Sequence, residues 1–380
     1  MKAPRIFLVA GEASGDQLGA ALMRALRAAR PEIAFAGVGG EAMANEGLAS
    51  LFPLADIAVM GLIPVLARLP RLVKRIEQTA RAVVDWAPDC LVIIDAPDFT
   101  HRVARRVRAA RPDLPIVDYV SPTVWAWRPS RARAMRNYVD CLLALLPFEP
   151  LAHARLGGPR CVYVGHPLVE RLDELTPHPH DHDGARSLLV LPGSRLAEVR
   201  RMTPIYGETL ELLLRERADF DVAIPVAPNM EQALRRELRG WPVTPRLIGQ
   251  AEKFAAFRKA RAALATSGVA TLELALAEAP MAVAYRVSRA ESLLRFLVNV
   301  DSIVLPNLII GENVVPEFLQ EAATPRALAD ALRPLLGESA ARDAQLAAFK
   351  RVRARLLEAG RAPSARAADI ILEYAARGRS

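Results

Sequence analysis

The chain has 380 residues, a net charge of +8, 52% hydrophobic residues and 24% charged residues. These proportions exclude a disordered protein, and the length suits two domains, each able to bury a sizeable core. No apolar run reaches membrane-spanning length and no secretory signal is expected at the amino terminus, so any membrane contact is expected at the surface.

The basic balance favours an anionic partner: nucleic acid, a nucleotide ligand or an acidic membrane. An arginine-rich genome explains part of the same excess. Cys90, Cys141 and Cys161 are odd in number and show no metal-ligand or CxxC spacing. They read as reduced thiols of a cytosolic protein.

The first predicted strand, 6–10, runs into Gly11-Glu12-Ala13-Ser14-Gly15-Asp16, and a helix is predicted over 17–29. A glycine turn at the carboxyl end of a strand is where open α/β sheets bind ligands. Glu12 and Asp16 do not suit an anion-binding nest, so the turn is expected to do something other than hold a phosphate. Asp16 reads as a cap or dipole partner at a helix start. Further strands are predicted at 34–38, 90–94, 116–120, 142–146 and 161–164, with helices such as 99–110 between them. That alternation means a parallel, doubly wound sheet.

Within this half, residues 60–76 place Leu62, Leu66, Leu69, Leu72, Val73 and Ile76 at helical spacing beside Arg68, Arg71 and Arg75. An interfacial helix on anionic lipid and ordinary packing of an amphipathic helix both fit, and Pro70 is predicted to break the segment in two. Ile94-Asp95-Ala96-Pro97-Asp98-Phe99 ends a strong strand with two carboxylates. Asp98 is expected to cap the helix from Phe99. Asp95 has no such duty and is the candidate general base. Ser121-Pro122-Thr123-Val124-Trp125-Ala126-Trp127-Arg128 puts two of the four tryptophans in one loop. Stacking on sugar, covering a lipid-facing mouth and packing in a core all remain open for them.

After Gly165-His166-Pro167 the pattern dissolves, and 176–184 reads as a linker rich in His, Pro and Asp. His178, His180 and His182, and the DxD-like Asp181-His182-Asp183, suggest a metal. A proline-rich linker offers no rigid scaffold for one, and they are not taken as ligands. Strands restart at 187–191, 222–225, 246–249, 262–265 and 281–285, and helices are expected from 325 to the end. The expected organisation is a Rossmann-like domain over 1–166, a linker over 167–186, a second Rossmann-like domain over 187–330 and carboxyl-terminal helices over 331–380. The cleft between the domains is the expected site.

The second domain carries the nucleotide signals. Leu191-Pro192-Gly193-Ser194-Arg195 ends a strand with an arginine fork suited to a diphosphate, or with an ordinary exposed turn arginine. Thr266-Ser267-Gly268-Val269-Ala270-Thr271-Leu272-Glu273 is a tight turn leading into a helix. Its amides suit an anion and Glu273, read in the first turn, suits ribose hydroxyls; helix capping by Ser267 and Glu273 is the competing reading. Leu305-Pro306-Asn307-Leu308, with Glu312-Asn313 and Pro316-Glu317, reads as a loop over the cleft.

Taken together and in this order, these six motifs resemble the lipid-A-disaccharide synthase family over about residues 5–375. The resemblance implies a GT-B fold and an inverting glycosyltransferase at the cytoplasmic face of the inner membrane of a Gram-negative bacterium. It implies transfer from UDP-2,3-diacylglucosamine to 2,3-diacylglucosamine 1-phosphate (lipid X), giving the β-1,6-linked lipid A disaccharide 1-phosphate and UDP. It places the nucleotide in the carboxyl-terminal domain and the acceptor in the amino-terminal one, with no metal and no cofactor.

By the same matching, Asp95 takes the acceptor proton and Glu12 orients the acceptor or shares the base role, with Asp98 beside them. Arg195, Ser194 and the Ser267–Gly268 amides meet the diphosphate, Glu273 the ribose, and Asn307 the reacting sugars. Trp125, Trp127 and the 60–76 segment face acceptor or membrane. The anionic inner-membrane surface is an expected partner, nucleic acid is not, and a homodimer is left open. Val269 stands where the family often has threonine, and the His-rich linker is unusual. Two other functions remain in view: a UDP-sugar epimerase of the same architecture, and a nucleotide-sugar-responsive binding protein without catalysis.

Overall fold

The computed structural model describes residues 3–57, 62–181, 186–216, 220–227, 229–287 and 301–378, without the side chains of 62–68. It divides into two units, residues 1–170 with 357–380, and residues 171–356.

The first unit is built on six parallel strands: β1 (Arg5–Ala10), β2 (Ala34–Val38), β3 (Cys90–Ile94), β4 (Ile116–Tyr119), β5 (Cys141–Ala144) and β6 (Arg160–Tyr163). Their order is β2-β1-β3-β4-β5-β6. Side chains alternate across a strand, and both faces of this sheet are covered, which is why the strands read as unbroken apolar runs. Ile6, Leu8 and Ala10 of β1 pack with Leu22 and Leu26 of helix α1 (Ala13–Ala29). Phe7 and Val9 face the other way, against Ile76 and Val83 of α3 (Leu62–Trp86) and Val103 and Val107 of α4 (Pro97–Ala110). Three short helices complete the set: α2 (Glu41–Asn45), α5 (Ser130–Met135) and α6 (Glu149–Arg155). The terminal helix Pro363–Arg377 packs Ala367, Ala368 and Ile371 into the α1 side of this sheet. Glu170 accepts a hydrogen bond from the Ser364 amide at 2.7 Å and pins its start.

The second unit repeats the plan with β7 (Ser187–Leu191), β8 (Asp221–Pro225), β9 (Arg246–Ile248), β10 (Ala260–Ala265), β11 (Met281–Tyr285) and β12 (Glu317–Leu319), ordered β12-β11-β10-β7-β8-β9. In each sheet the chain reverses its direction of travel between two adjacent central strands, β1 and β3 in one and β7 and β10 in the other. Ligands bind beyond the carboxyl ends of strands at such a switch point.

Several local expectations are corrected. Helix α1 starts at Ala13, so most of the glycine turn is its first turn. Gly11 and Gly15 serve close packing: a Cβ on Gly11 would lie 2.3 Å from that of Ala96, and one on Gly15 3.0 Å from the Ile94 carbonyl oxygen. Helix α3 runs through Pro70 unbroken. Proline deprives the helix of one hydrogen bond near its start, while Ile76, Ala80 and Val83 anchor the turns beyond it. Leu305–Ile310 is a helix and Glu317–Leu319 is edge strand β12, so only 311–316 between them form the expected loop.

Asp16 is buried, and its carboxylate accepts from the backbone amides of Gly40, Ala42 and Met43 at 2.7, 2.9 and 3.1 Å. It therefore caps α2 rather than its own helix. Replacing Asp16 with Ala should lower stability by about 2 kcal/mol. An unchanged urea midpoint would show that these bonds do not matter.

Candidate active site

At the switch point of the first unit, β1 delivers Gly11–Asp16 and β3 delivers Asp95–Asp98. Asp95 and Ala96 both have left-handed backbones, φ 55° and 45°. Strain of this kind in non-glycine residues persists only where the surroundings enforce it. The Asp95 amide donates to the Tyr119 carbonyl at 3.1 Å, and the Thr100 hydroxyl donates to the Asp95 carbonyl at 2.7 Å. One Asp95 carboxylate oxygen accepts from the Ser14 hydroxyl at 2.8 Å and the other from the Ala96 amide at 2.8 Å. The half-buried carboxylate is thus aimed by both turns, and Ser14 joins the site through a contact that sequence pattern does not reveal.

Glu12 is exposed at the amino-terminal cap position of α1. Asp98 is 83% exposed and paired with Arg131 at 3.2 Å. It does not cap α4, because the helix starts at Pro97, two residues before Phe99, and Ala96 takes the cap position.

The tryptophan loop follows β4. Val120 and Arg128 bracket it, with φ 94° and 53°. Trp125 donates its indole N–H to Glu149 at 3.2 Å and meets Phe148 edge-on at 5.1 Å. Trp127 lies under the Arg128 guanidinium, 5.3 Å from its ring centroid. Glu149 is buried and also accepts from the Leu145 and Leu146 amides at 3.1 and 2.9 Å. Burial pushes its carboxyl up to about 7, against the lowering effect of these donors. One helical turn on, buried His153 meets the Ser121 hydroxyl at 2.8 Å through Nε2, and burial pulls its imidazole down to about 4. The Ser121 hydroxyl also lies within hydrogen-bond reach of the Pro122 carbonyl, at 2.9 Å.

Two turns occupy the switch point of the second unit. After β7, Gly193 has φ 116°, and Glu198 accepts from the Ser194 and Arg195 amides at 3.1 and 3.3 Å. The exposed Arg195 guanidinium also reaches Glu198, at 3.3 Å. After β10, Gly268 has φ 141° and open space where a side chain would stand. Ser267 donates to the Ile303 carbonyl at 2.9 Å, and buried Thr271 donates to the Gly268 carbonyl at 2.8 Å.

The helix starts at Val269, so Gly268 holds the cap position and Glu273 lies in the second turn. Neither Ser267 nor Glu273 is therefore accounted for by capping. Glu273 is buried and paired with Lys253 at 2.5 Å, a partner absent from the sequence reading. Asn307 is buried with both ends of its amide engaged: Oδ1 accepts from the Val314 and Val315 amides at 3.1 and 2.9 Å, and Nδ2 donates to the Val315 carbonyl at 2.9 Å.

On α3, the side chains of Leu62, Leu66 and Arg68 lie outside the described residues, as does most of the DxD-like motif. Leu72 and Ile76 turn to the core, so the exposed apolar pair is Leu69 and Val73, 40% and 44% exposed. Arg71 remains largely exposed, 3.9 Å from Asp56, whereas Arg75 is tied to Asp56 and stacked on Phe52. Among the described residues no helix is long and apolar enough to cross a membrane, and no group of three His, Cys, Asp or Glu is placed to hold a metal.

Among solved structures, the calicheamicin glycosyltransferase superposes with a TM-score of 0.61 at 17% identity, over 99% of both chains. A UDP-GlcNAc 2-epimerase from Neisseria meningitidis, solved with UDP-GlcNAc, gives 0.63 at 13% identity over 97% of this chain and 98% of that one. The fold is that of the GT-B glycosyltransferases, two Rossmann-like units with a ligand-ready switch point in each.

Residues 6–371 match the family model described as lipid-A-disaccharide synthetase. The lipid-A-disaccharide synthase of Nitrobacter hamburgensis is 52% identical over 383 residues, 98% of this chain and 97% of the relative. That of Bradyrhizobium diazoefficiens is 50% identical over 382 residues, 99% and 97% of the two chains. The chain belongs to the lipid-A-disaccharide synthase family, whose members are hexosyltransferases.

The buried pair on α6 predicts a pH effect. A Glu149 carboxyl raised from 4.5 to about 7 adds stability at acid pH that is lost as pH rises through about 7. His153 and His166, lowered from 6.5 to about 4, remove stability as pH falls between those values. The two trends oppose each other. In Glu149→Gln only the histidine trend remains, so the variant should lose stability of order 2 kcal/mol relative to wild type between pH 7 and pH 5. Parallel urea midpoints for the two proteins would contradict this.

Proposed function

We propose that the protein transfers the diacylglucosamine of UDP-2,3-diacylglucosamine to lipid X, giving β-1,6 lipid A disaccharide 1-phosphate and UDP. The observation that carries this reading is the sorting of charge between the two switch points. In the first unit the strand ends present Asp95 and Glu12; in the second they present Arg195, backbone amides and, at Gly268, open space where a side chain would stand. A carboxylate edge suits a hydroxyl that must lose a proton, and an edge rich in N–H donors suits a diphosphate that gains charge on leaving.

In the proposed step the acceptor 6-hydroxyl gives its proton to Asp95 as its oxygen bonds to the donor's anomeric carbon. The bond from that carbon to the diphosphate breaks on the opposite face, and the α-donor becomes a β-product, as in other inverting displacements. Glu12 orients the acceptor, and Asp98 keeps a supporting role beside it. Arg195, released from Glu198, joins Ser194 and the Ser267–Gly268 amides on the diphosphate. Glu273, held by Lys253, accepts from the ribose hydroxyls. Thr271 and Asn307 act through the backbone they brace, the first shaping the Gly268 turn and the second holding residues 314–315.

Trp125 and Trp127 meet the acceptor side. In this reading the enzyme works at the cytoplasmic face of the inner membrane and meets its anionic surface through Leu69, Val73 and Arg71, whose exposure supports the assignment.

Purified protein given both substrates should form disaccharide and UDP in equal amounts. Conversion of the donor sugar without lipid X would favour the epimerase instead. Asp95→Asn should lower kcat by roughly 10²–10⁴-fold while UDP binding is retained; near-normal turnover would remove Asp95 from the base role. Leu69→Ser with Val73→Ser should weaken binding to anionic vesicles with the urea midpoint unchanged, and unaltered vesicle binding would count against a lipid-facing helix.

A further inference from the structure

Helix α6 is not part of either switch point, yet it carries two buried titratable side chains that point at one loop. Glu149 and His153 are four residues apart and so share a helix face. Their partners, Trp125 and Ser121, are also four residues apart, and Trp125 sits within a turn closed by the Ala126 and Trp127 amides donating to the Thr123 carbonyl at 3.0 and 2.8 Å. The result is a two-rung clamp, Ser121 to His153 at 2.8 Å and Trp125 to Glu149 at 3.2 Å.

The loop is strained where it enters and leaves. Val120 is β-branched and sits at φ 94°, and Arg128 sits at φ 53°. Such conformations relax unless neighbouring contacts hold them. The Val120 amide is tied to the Leu143 carbonyl at 3.1 Å, and Glu149 holds the Leu145 and Leu146 amides that follow β5. One carboxylate thus joins the loop after β4 to the loop after β5. A core that needed only volume here would use apolar residues; a buried acid with three N–H donors fixes direction as well as distance.

We propose that Glu149, backed by His153, is a positioning residue that holds the Trp125 loop in the shape that receives the acceptor sugar. It touches no substrate and acts through the indole N–H of Trp125. The inference rests on the proposed function, in which this loop meets the acceptor.

The test is a double-mutant cycle of Glu149→Gln and Trp125→Phe in the full-length protein, with KM measured separately for lipid X and for the UDP-sugar. The glutamine variant keeps one acceptor oxygen but sets an NH2 against N–H donors, and the phenylalanine variant keeps the ring while deleting the indole N–H. Each single variant should raise the lipid X KM by roughly tenfold, the size of one lost charge-assisted hydrogen bond. The UDP-sugar KM should stay within about twofold, and the double variant should be no worse than Glu149→Gln alone, because both remove the same rung.

Losses that multiply in the double variant, or equal changes in both KM values, would reduce Glu149 to a general structural role and overturn the proposal. Should Glu149→Gln fail to fold, Trp125→Phe alone decides: an unchanged lipid X KM overturns the inference. A wild-type protein without lipid X-dependent turnover would instead overturn the proposed function, and this inference with it.

Discussion

The left-handed backbone at Asp95 and Ala96 is the constraint around which the first unit is arranged. A strand that simply continued into a helix would leave the carboxylate pointing along the sheet. Two consecutive residues at positive φ swing it out over the strand ends, where the Ser14 hydroxyl and the Ala96 amide aim it. That geometry has requirements elsewhere. Gly11 must lack a side chain because Ala96 occupies its space, and Gly15 lets α1 come down against β3. Thr100 and Tyr119 supply the backbone partners that a strained turn needs. The turn that looks like a phosphate loop is therefore a packing device for its neighbour.

The second unit solves a similar problem with opposite chemistry. Its turns use glycine at positive φ: Gly193, where Glu198 leaves no room for a Cβ, and Gly268, which faces open space. What remains at those turns is backbone N–H and one arginine, with Glu198 as their present partner. The first switch point presents the carboxylates of Asp95 and Glu12, and the second presents N–H donors that Glu198 now occupies, from two sheets of closely related topology. The proposed transfer uses this division: the side that takes a proton is kept apart in sequence and in fold from the side that takes negative charge.

Much of this was legible in the sequence, and the reasons are physical. Strands buried on both faces are continuous apolar runs, so β1, β3, β7 and β10 stand out, and the residues that follow each of them are the motif residues. Strand β12 did not stand out, because a three-residue edge strand with a glutamate at its start has almost no pattern. Asp16 was read as a cap, correctly in kind, but the helix it caps lies 25 residues further along. Lys253 and Glu149 were invisible for a common reason: each is an ordinary helix residue whose meaning lies in a partner about 20 residues away, Glu273 in one case and Trp125 in the other. The family resemblance assigns Asn307 to the reacting sugars, whereas its side chain is engaged in bracing the backbone of Val314 and Val315.

The central claim is that Asp95 receives the proton of the attacking hydroxyl while the nucleotide stays on the second unit. A crystal structure with UDP and an unreactive lipid X analogue tests it most directly. The expected result has the Asp95 carboxylate within about 3 Å of the acceptor 6-hydroxyl and the diphosphate against Arg195 and the Ser267–Gly268 amides. A diphosphate lodged at Gly11–Asp16, or a 6-hydroxyl whose nearest carboxylate is Glu12 or Glu273, would contradict it.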